Sequence, residues 1–339
     1  MTVRLRDEVV TLAHGAGGKA TRALVEGLFV PELANPLLSP LGDSALLEVG
    51  GARLALTTDT YVVRPLFFPG GTIGELAVNG TVNDLVVAGA RPVALTAGFV
   101  IEEGFPVDDL RRIAASIAAA ARRAGVVVAA GDTKVVERGN ADGLFVNTAG
   151  LGVVPATLEL GPELVRAGDR VLVSGTLGDH GMAVLVARGD LALDVDLRSD
   201  TAPLHELAAA LLAVGGVRFM RDPTRGGLAT TLNELAAAGE VAVRLDEAAL
   251  PVRGEVSAAC EILGIDPLYV ANEGKLVAVV APEHADAALA ALRALPLGSD
   301  AAFVGTIEAE PEGLVLLDTA LGGSRIVDML VGDPLPRIC

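Results

Sequence analysis

The sequence predicts a two-domain α/β protein, and three observations predict it. A chain of 339 residues is longer than one typical domain. Strand-like and helix-like stretches alternate along both halves, and the alternation starts over near residue 170. Aromatic residues make up 3% of the chain and tryptophan is absent, so the core must be built from Ala, Val, Leu and Ile. Such side chains suit layered packing of helices on sheets.

The elements follow in order. "RLALTTD" (53–59) is β-like, and "TIGELAVNGTVNDLVVAGA" (72–90) reads as a helix ending near Gly89. "PVALTAGFVIEE" (92–103) is a strand, and "PVDDLRRIAASIAAAARRAG" (106–125) is an amphipathic helix stopped by glycine. "VVVAAGD" (126–132) and "GLFVNTAGLGVV" (143–154) are strands. Residues 155–168 form a boundary. The second half then offers a strand at 170–176 and helices at 178–189, 203–215 and 225–239. A strand at 241–245, a helix at 254–264, a strand at 275–282 and a helix at 283–295 come next, and β structure over 301–318 closes the domain. From Gly322 the chain is a polar, proline-rich tail.

Composition excludes several functions. The net charge of −17 makes nucleic acid and anionic membranes poor partners. No apolar run is long enough to span a bilayer. "MTVRLRDEVV" carries acids where a signal peptide places its apolar core, so a cytoplasmic address is expected. The cysteines, Cys260 and Cys339, are too few and too distant to indicate a disulfide framework. Lys19, Lys134 and Lys275 are the lysines of a chain that otherwise uses arginine, which hints that a compact ammonium is needed at each.

The polar stretches carry the chemistry. "AHGAGGKAT" (13–21) is a glycine-rich loop that resembles a P-loop but has Ala13 and Ala20 where that motif needs Gly and Ser or Thr. Its backbone N–H groups and Lys19 are suited to wrapping phosphate. Asp43, Asp59, Asp84 and Asp132 lie at strand ends or on a helix, placed to converge on one face of a sheet. Hard carboxylate oxygens suit Mg²⁺, which shares its ligands with phosphates. Glu75, Asn79 and Asn83 recur every four residues and stripe an otherwise apolar helix, as expected if that stripe faces a site. Together these features point to a metal–nucleotide site. "DPTRGGLATTLNELA" (222–236) places Asp, Thr and two glycines at a helix start, where anions can bind, but it reads more strongly as a well-capped helix. "ANEGK" (271–275) sets a carboxylate and an ammonium before a strand.

Cys339 ends the chain. A CaaX box needs its cysteine four from the end, so prenylation is excluded. A free thiol titrates near ~8.5, and the neighbouring α-carboxylate raises it, so another protein or pocket must activate this one. The tail from Gly332 reaches roughly 23 Å when extended at ~3.3 Å per residue. Pro334 and Pro336 stiffen it. Such an arm can load a group at one place and process it at another.

With these motifs, "GDSA", "TTDTYVVRPLFFPGGTIGELAVNGTVNDL", "GDTKVV", "GDHG", "NEGK" and the terminal "LPRIC", the chain from about residue 11 resembles the HypE family of hydrogenase maturation proteins. Its frame is similar to the aminoimidazole ribonucleotide synthetase-like superfamily. The resemblance implies an ATP-binding and dimerisation domain over 1–155 whose sheet forms the interface of a homodimer. It also implies an α/β domain over 156–321 and a mobile tail over 322–339. It implies that a HypF carbamoyltransferase loads a carbamoyl group on Cys339. ATP with Mg²⁺ then dehydrates that group to a thiocyanate, and cyanide passes to iron on a HypC–HypD complex. The roles implied are substrate carriage by Cys339, charge stabilisation by Lys134 and proton removal by Glu273. ATP contacts are expected at His14, Gly15, Gly17, Gly18, Lys19, Asn83 and Thr133, and Mg²⁺ at Asp43, Asp59, Asp84 and Asp132. Two alternatives stand beside this reading. One is a kinase or synthetase of the same superfamily acting on a free substrate, which leaves Cys339 idle. The other is a non-catalytic thiol carrier, which leaves the acidic cluster idle.

Overall fold

The computed structural model describes residues 5, 7–189, 195–332, 335 and 337–339. Pro334 and Pro336 lie outside them.

The first sheet orders its strands β1 (Ala45–Val49), β2 (Ala52–Tyr61), β7 (Leu144–Val154), β5 (Arg91–Glu102) and β6 (Val127–Val136). Gly50 and Gly51 turn β1 into β2 with φ of 58° and 82°, a conformation that costs glycine nothing. A two-stranded ribbon, β3 (Phe67–Phe68) with β4 (Gly71–Thr72), leads into helix α3 (Ile73–Val87). The Thr72 hydroxyl accepts from the Glu75 N–H and caps that helix. Helix α3 lies on one face of the sheet and is buried nearly all round. Helix α4 (Val107–Arg123) packs beside it through Ile113, Ile117 and Ala120. The opposite face of the sheet is open. Alternation is regular along β7, whose residues 144, 146 and 148 point to α3 while Asn147 and Leu151 point out.

The second sheet orders β14 (Ser324–Ile326), β13 (Val315–Asp318), β10 (Ala242–Asp246), β12 (Ala302–Glu308), β8 (Arg170–Val173), β11 (Val277–Val280) and β9 (Val217–Arg221). Its central strands are buried on both faces, so β8 and β11 read as unbroken apolar runs rather than alternating ones. Val171, Val173, Val277 and Val279 face helix α7 (Gly227–Gly239) with its Leu228 and Leu232. Leu172, Ala278 and Val280 face the other layer, with α5 (Asp179–Ala187), α6 (His205–Val214), α8 (Gly254–Leu263) and α9 (Pro282–Arg293). That layer runs without a break into the residues around α3, so one apolar core spans the seam between the sheets. The glycine loop leads into α1 (Lys19–Leu24) and α2 (Val30–Leu33), joined by a π-turn over Val25–Phe29.

The tail departs from expectation in two ways. Residues 324–326 belong to the second sheet, paired antiparallel with β13. The end of the chain is docked rather than free: Val327, Leu330, Leu335, Ile338 and Cys339 are buried. The apolar side chains spaced along this polar stretch find apolar partners, and burying each stabilises by roughly 1.5–3 kcal/mol relative to exposure.

Candidate active site

The seam between the sheets gathers acids. Asp43 precedes β1, Asp84 sits near the end of α3, and Asp222 directly follows β9. One carboxylate oxygen of each lies within 4.8 Å of the others. The Thr57 hydroxyl is 2.7 Å from both the Asp43 carbonyl and an Asp84 carboxylate oxygen. Burial, then the charges of Asp59, Asp222 and Asp43, pushes the Asp84 carboxyl well above the usual carboxylate range. Burial, then Asp43 and Asp59, does the same to Asp222. Arg221 pairs with Asp43 and Glu234, at 2.9 Å from each, and relieves only part of this. Carboxylates crowded out of water and unneutralised are suited to a divalent cation.

Asp59 stands beside the cluster on the α3 face of β2, accepting from the Tyr61 hydroxyl at 3.0 Å. Burial raises its pKa, and nearby Asp43 adds to the rise. Glu273 is buried across the seam, and burial followed by the charges of Asp222, Asp200 and Asp59 raises it well above its ordinary value. Backbone bonds hold it: its N–H donates to Asp200 Oδ1 (3.1 Å), and its carbonyl accepts from Asn83 Nδ2 (3.1 Å). The "NEGK" glycine has a steric reason, since a Cβ on Gly274 would lie 1.8 Å from the Asp200 carbonyl oxygen. Lys275 neutralises Asp200 at 3.2 Å, both side chains buried.

Arg225 links the acids to the tail. Its Nη1 donates to the Gly15 carbonyl at 2.8 Å. The negative charge at Cys339, opposed by burial and helped by Glu273 and Asp59, holds the guanidinium firmly protonated. Arg225, Gly15, Ala16 and Cys339 line one cavity of about 130 Å³.

The other expected residues divide. The glycine loop reaches this cavity, but it is closed down on its neighbours. A Cβ on Gly18 would sit 2.2 Å from the Leu330 carbonyl oxygen, which accepts from the Lys19 N–H at 2.9 Å. Lys19 Nζ pairs with exposed Asp328 at 2.5 Å. His14 is buried and accepts from the Thr11 N–H at 3.1 Å. Two members of the polar stripe on α3, Asn79 and Asn83, face the domain seam. Asn83 donates to the Ala202 and Glu273 carbonyls and accepts from the Leu204 N–H, while Asn79 donates to Thr201. Glu75 pairs with Arg123 of α4. Asn83 is thus an interdomain tie, making three hydrogen bonds across the seam.

Asp132, Thr133 and Lys134 stand apart from the cluster within one chain. Strand register decides this. Asp59, Thr148, Ala97 and Gly131 form one row across the sheet, and Thr60, Asn147, Gly98 and Asp132 form the next. Paired residues share a face and successive residues alternate. Asp59 therefore points to α3, whereas Asp132 and Lys134 point to the open face. They also lie three strand spacings away, about 14 Å at ~4.8 Å each. The two form a 2.6 Å ion pair with each other. Within one chain it is Asp222, not Asp132, that joins Asp43 and Asp84. Sequence reasoning passed over Asp222, Arg225 and Asp200. The first two stand in the quoted "DPTRGG", where the capped-helix reading absorbed them; nothing local marked Asp200.

Known proteins share this sequence and fold. Residues 41–154 match AIR synthase related protein, N-terminal domain, and residues 166–317 match its C-terminal domain. A carbamoyl dehydratase HypE from Rhizobium leguminosarum bv. viciae is 56% identical over 332 residues, 97% of this chain and 95% of the relative. The chain belongs to the HypE family. It is a dehydratase enzyme of that family, with a role in hydrogenase maturation. Among solved structures, HypE in a HypE–HypF complex has a TM-score of 0.87 at 47% identity, covering 91% of this chain and 100% of that one. HypE in complex with ATP has a TM-score of 0.82 at 47% identity, covering 98% and 100%.

Proposed function

We propose that this chain uses ATP to dehydrate a carbamoyl group carried on the sulfur of its own Cys339, leaving a thiocyanate from which the cyanide ligands of [NiFe] hydrogenase iron are drawn. One observation carries this reading: Cys339 is seated in a cavity with the glycine loop and Arg225, and Arg225 couples it electrostatically to Glu273 and Asp59. The ATP-bound and HypF-bound relatives support the co-substrate and the loading partner.

The chemistry needs three things. Amide oxygen leaves poorly, so phosphoryl transfer from ATP to the carbamoyl oxygen makes it a leaving group. The two nitrogen protons are then lost, the C–O bond breaks with departure of phosphate, and S–C≡N remains. Positioning and charge stabilisation dominate such transfers. Asp43, Asp84 and Asp222 would hold Mg²⁺, with Asp59 beside them; bound there, the metal neutralises triphosphate charge near an acidic protein. His14, Gly15, Gly17, Gly18 and Lys19 would contact the nucleotide once the loop lifts from Leu330. Glu273, its basicity raised by burial, is suited to remove a nitrogen proton. Arg225 is placed to balance negative charge at the tail. Loading by HypF requires the buried thiol to swing out, and dehydration requires it to return.

The open face of the first sheet presents Leu56, Val93, Val100 and Leu151 to solvent. Apolar area of this kind fits a second copy, with HypC–HypD receiving the product elsewhere. In such a homodimer Lys134, remote from its own cluster, serves the partner's. The deciding experiment is intact mass after carbamoyl transfer by HypF, before and after addition of Mg·ATP. Retention of the carbamoyl mass without loss of water would refute the proposal.

A further inference from the structure

Helix α5 and the residue that follows it, Arg188, hold the end of the chain by side-chain bonds to its backbone oxygens. In its first turn, His180 is fully buried, with Nε2 3.0 Å from the Ile338 carbonyl oxygen and Nδ1 2.7 Å from Ser199 Oγ. A carbonyl only accepts, so Nε2 carries the hydrogen and Nδ1 accepts from the Ser199 hydroxyl. Ser199 in turn accepts from the Thr201 N–H at 3.1 Å, and Phe68 meets the imidazole edge-on at 5.6 Å. Burial keeps the ring neutral, which preserves this tautomer. At the far end of α5, half-buried Arg188 donates from Nε to the Arg64 carbonyl (2.8 Å) and from Nη2 to the Arg337 carbonyl (2.6 Å). The segment after β2 completes the grip: the Arg64 N–H donates to the Arg337 carbonyl and the Val62 N–H to an α-carboxylate oxygen of Cys339, at 3.2 and 3.1 Å. A main-chain oxygen of each of the last three residues is held.

We infer that His180 and Arg188 form a latch on the Ile338 and Arg337 carbonyls that sets where the Cys339 sulfur presents its group to the acidic seam. The inference rests on the reading of Cys339 as carrier. Both are positioning residues. Because they bind main-chain oxygens, they hold a loaded and an unloaded tail alike. When the tail leaves, the buried Nε2–H loses its acceptor, an unfavourable state that redocking relieves. The docked arm is thereby favoured without any contact to the group it carries.

Iodoacetamide labelling of the full chain tests this, with Cys260 as an internal control for unfolding. Labelling of a buried thiol follows the population of the opened state. Losing one hydrogen bond is expected to raise Cys339 labelling roughly fivefold in His180→Leu and at least as much in Arg188→Ala, with Cys260 unchanged. Arg188→Lys, which keeps a donor, restores part of the protection. Single-turnover dehydration of the pre-carbamoylated variants slows, while loading by HypF does not. Should Cys260 also become reactive in His180→Leu, the half-buried Arg188→Ala decides the matter. Unchanged Cys339 labelling in Arg188→Ala overturns the latch while leaving the carrier reading intact. Absence of any carbamoyl adduct on wild-type Cys339 overturns the carrier reading itself.

Discussion

Asp222→Asn and Asp132→Asn test whether strand register has assigned the acids correctly. Two carboxylates 4.8 Å apart repel by about 3.5 kcal/mol at an effective dielectric of ~20, and the oxygens of Asp43, Asp84 and Asp222 fall within that distance. Arg221, 2.9 Å from Asp43, already offsets part of this. Proton uptake by the raised acids relieves more, so Asp222→Asn should return on the order of 1 kcal/mol to the apo protein, raising its melting point by roughly 2–4 °C. The pH dependence has a definite sign. The folded pKa of Asp222 is raised above the unfolded value, so its stabilisation is complete below about 4 and is lost as pH rises through the folded pKa. Asp222→Asn should flatten that decline. With Mg·ATP at a hundred times Kd the wild type gains about 2.7 kcal/mol, whereas a hundredfold weaker site gains about 0.4. Asp132, exposed and paired with Lys134 outside its own chain's cluster, should lose much less of the ligand-induced shift when replaced by Asn. Thermal melts with and without Mg·ATP from pH 5 to 8 measure all of this. If Asp132→Asn loses the shift and Asp222→Asn keeps it, the assignment by register is wrong.

Asn83→Ala removes three interdomain hydrogen bonds and strands their partners, so it should cost about 3 kcal/mol or more by chemical denaturation while sparing nucleotide affinity; unaltered stability would deny it the role of tie. Wild-type dehydration should speed up with pH through the raised pKa of Glu273, and Glu273→Gln should be slower by ~10²–10⁴ with that limb gone. A pH–rate profile on pre-carbamoylated protein shows which. Cys339→Ala should accept no carbamoyl group, with Cys260 left unmodified, as read by peptide mass. Lys275→Met should cost about 3–5 kcal/mol by stranding Asp200. Lys275→Arg should also destabilise, because the lysine stem already lies where a Cβ on Gly175 would meet Cε at 2.8 Å.

By itself the sequence determined the two-sheet α/β plan, most elements within a few residues, and the family. These are local matters: apolar periodicity shows in a window of a dozen residues, and glycine and proline punctuate it wherever they stand. It also picked out Asp43, Asp59, Asp84, Glu273 and Cys339, which the fold gathers around one seam. The lysine argument fared unevenly: Lys275 is buried where a compact ammonium fits, while Lys19 and Lys134 are exposed and paired. Only the tertiary structure decided that Asp132 and Lys134 face away, because a strand's register against its neighbours is set by pairings far along the chain. Only it showed that Asn83 ties domains together, and that Asp222 and Arg225, hidden in a well-formed helix start, belong with acids contributed by the other domain. The tail illustrates the same limit. Its composition reads as a free arm, yet a few buried side chains dock it, and the main-chain oxygens of its last three residues are held by partners from Arg188 back to Val62, far along the chain.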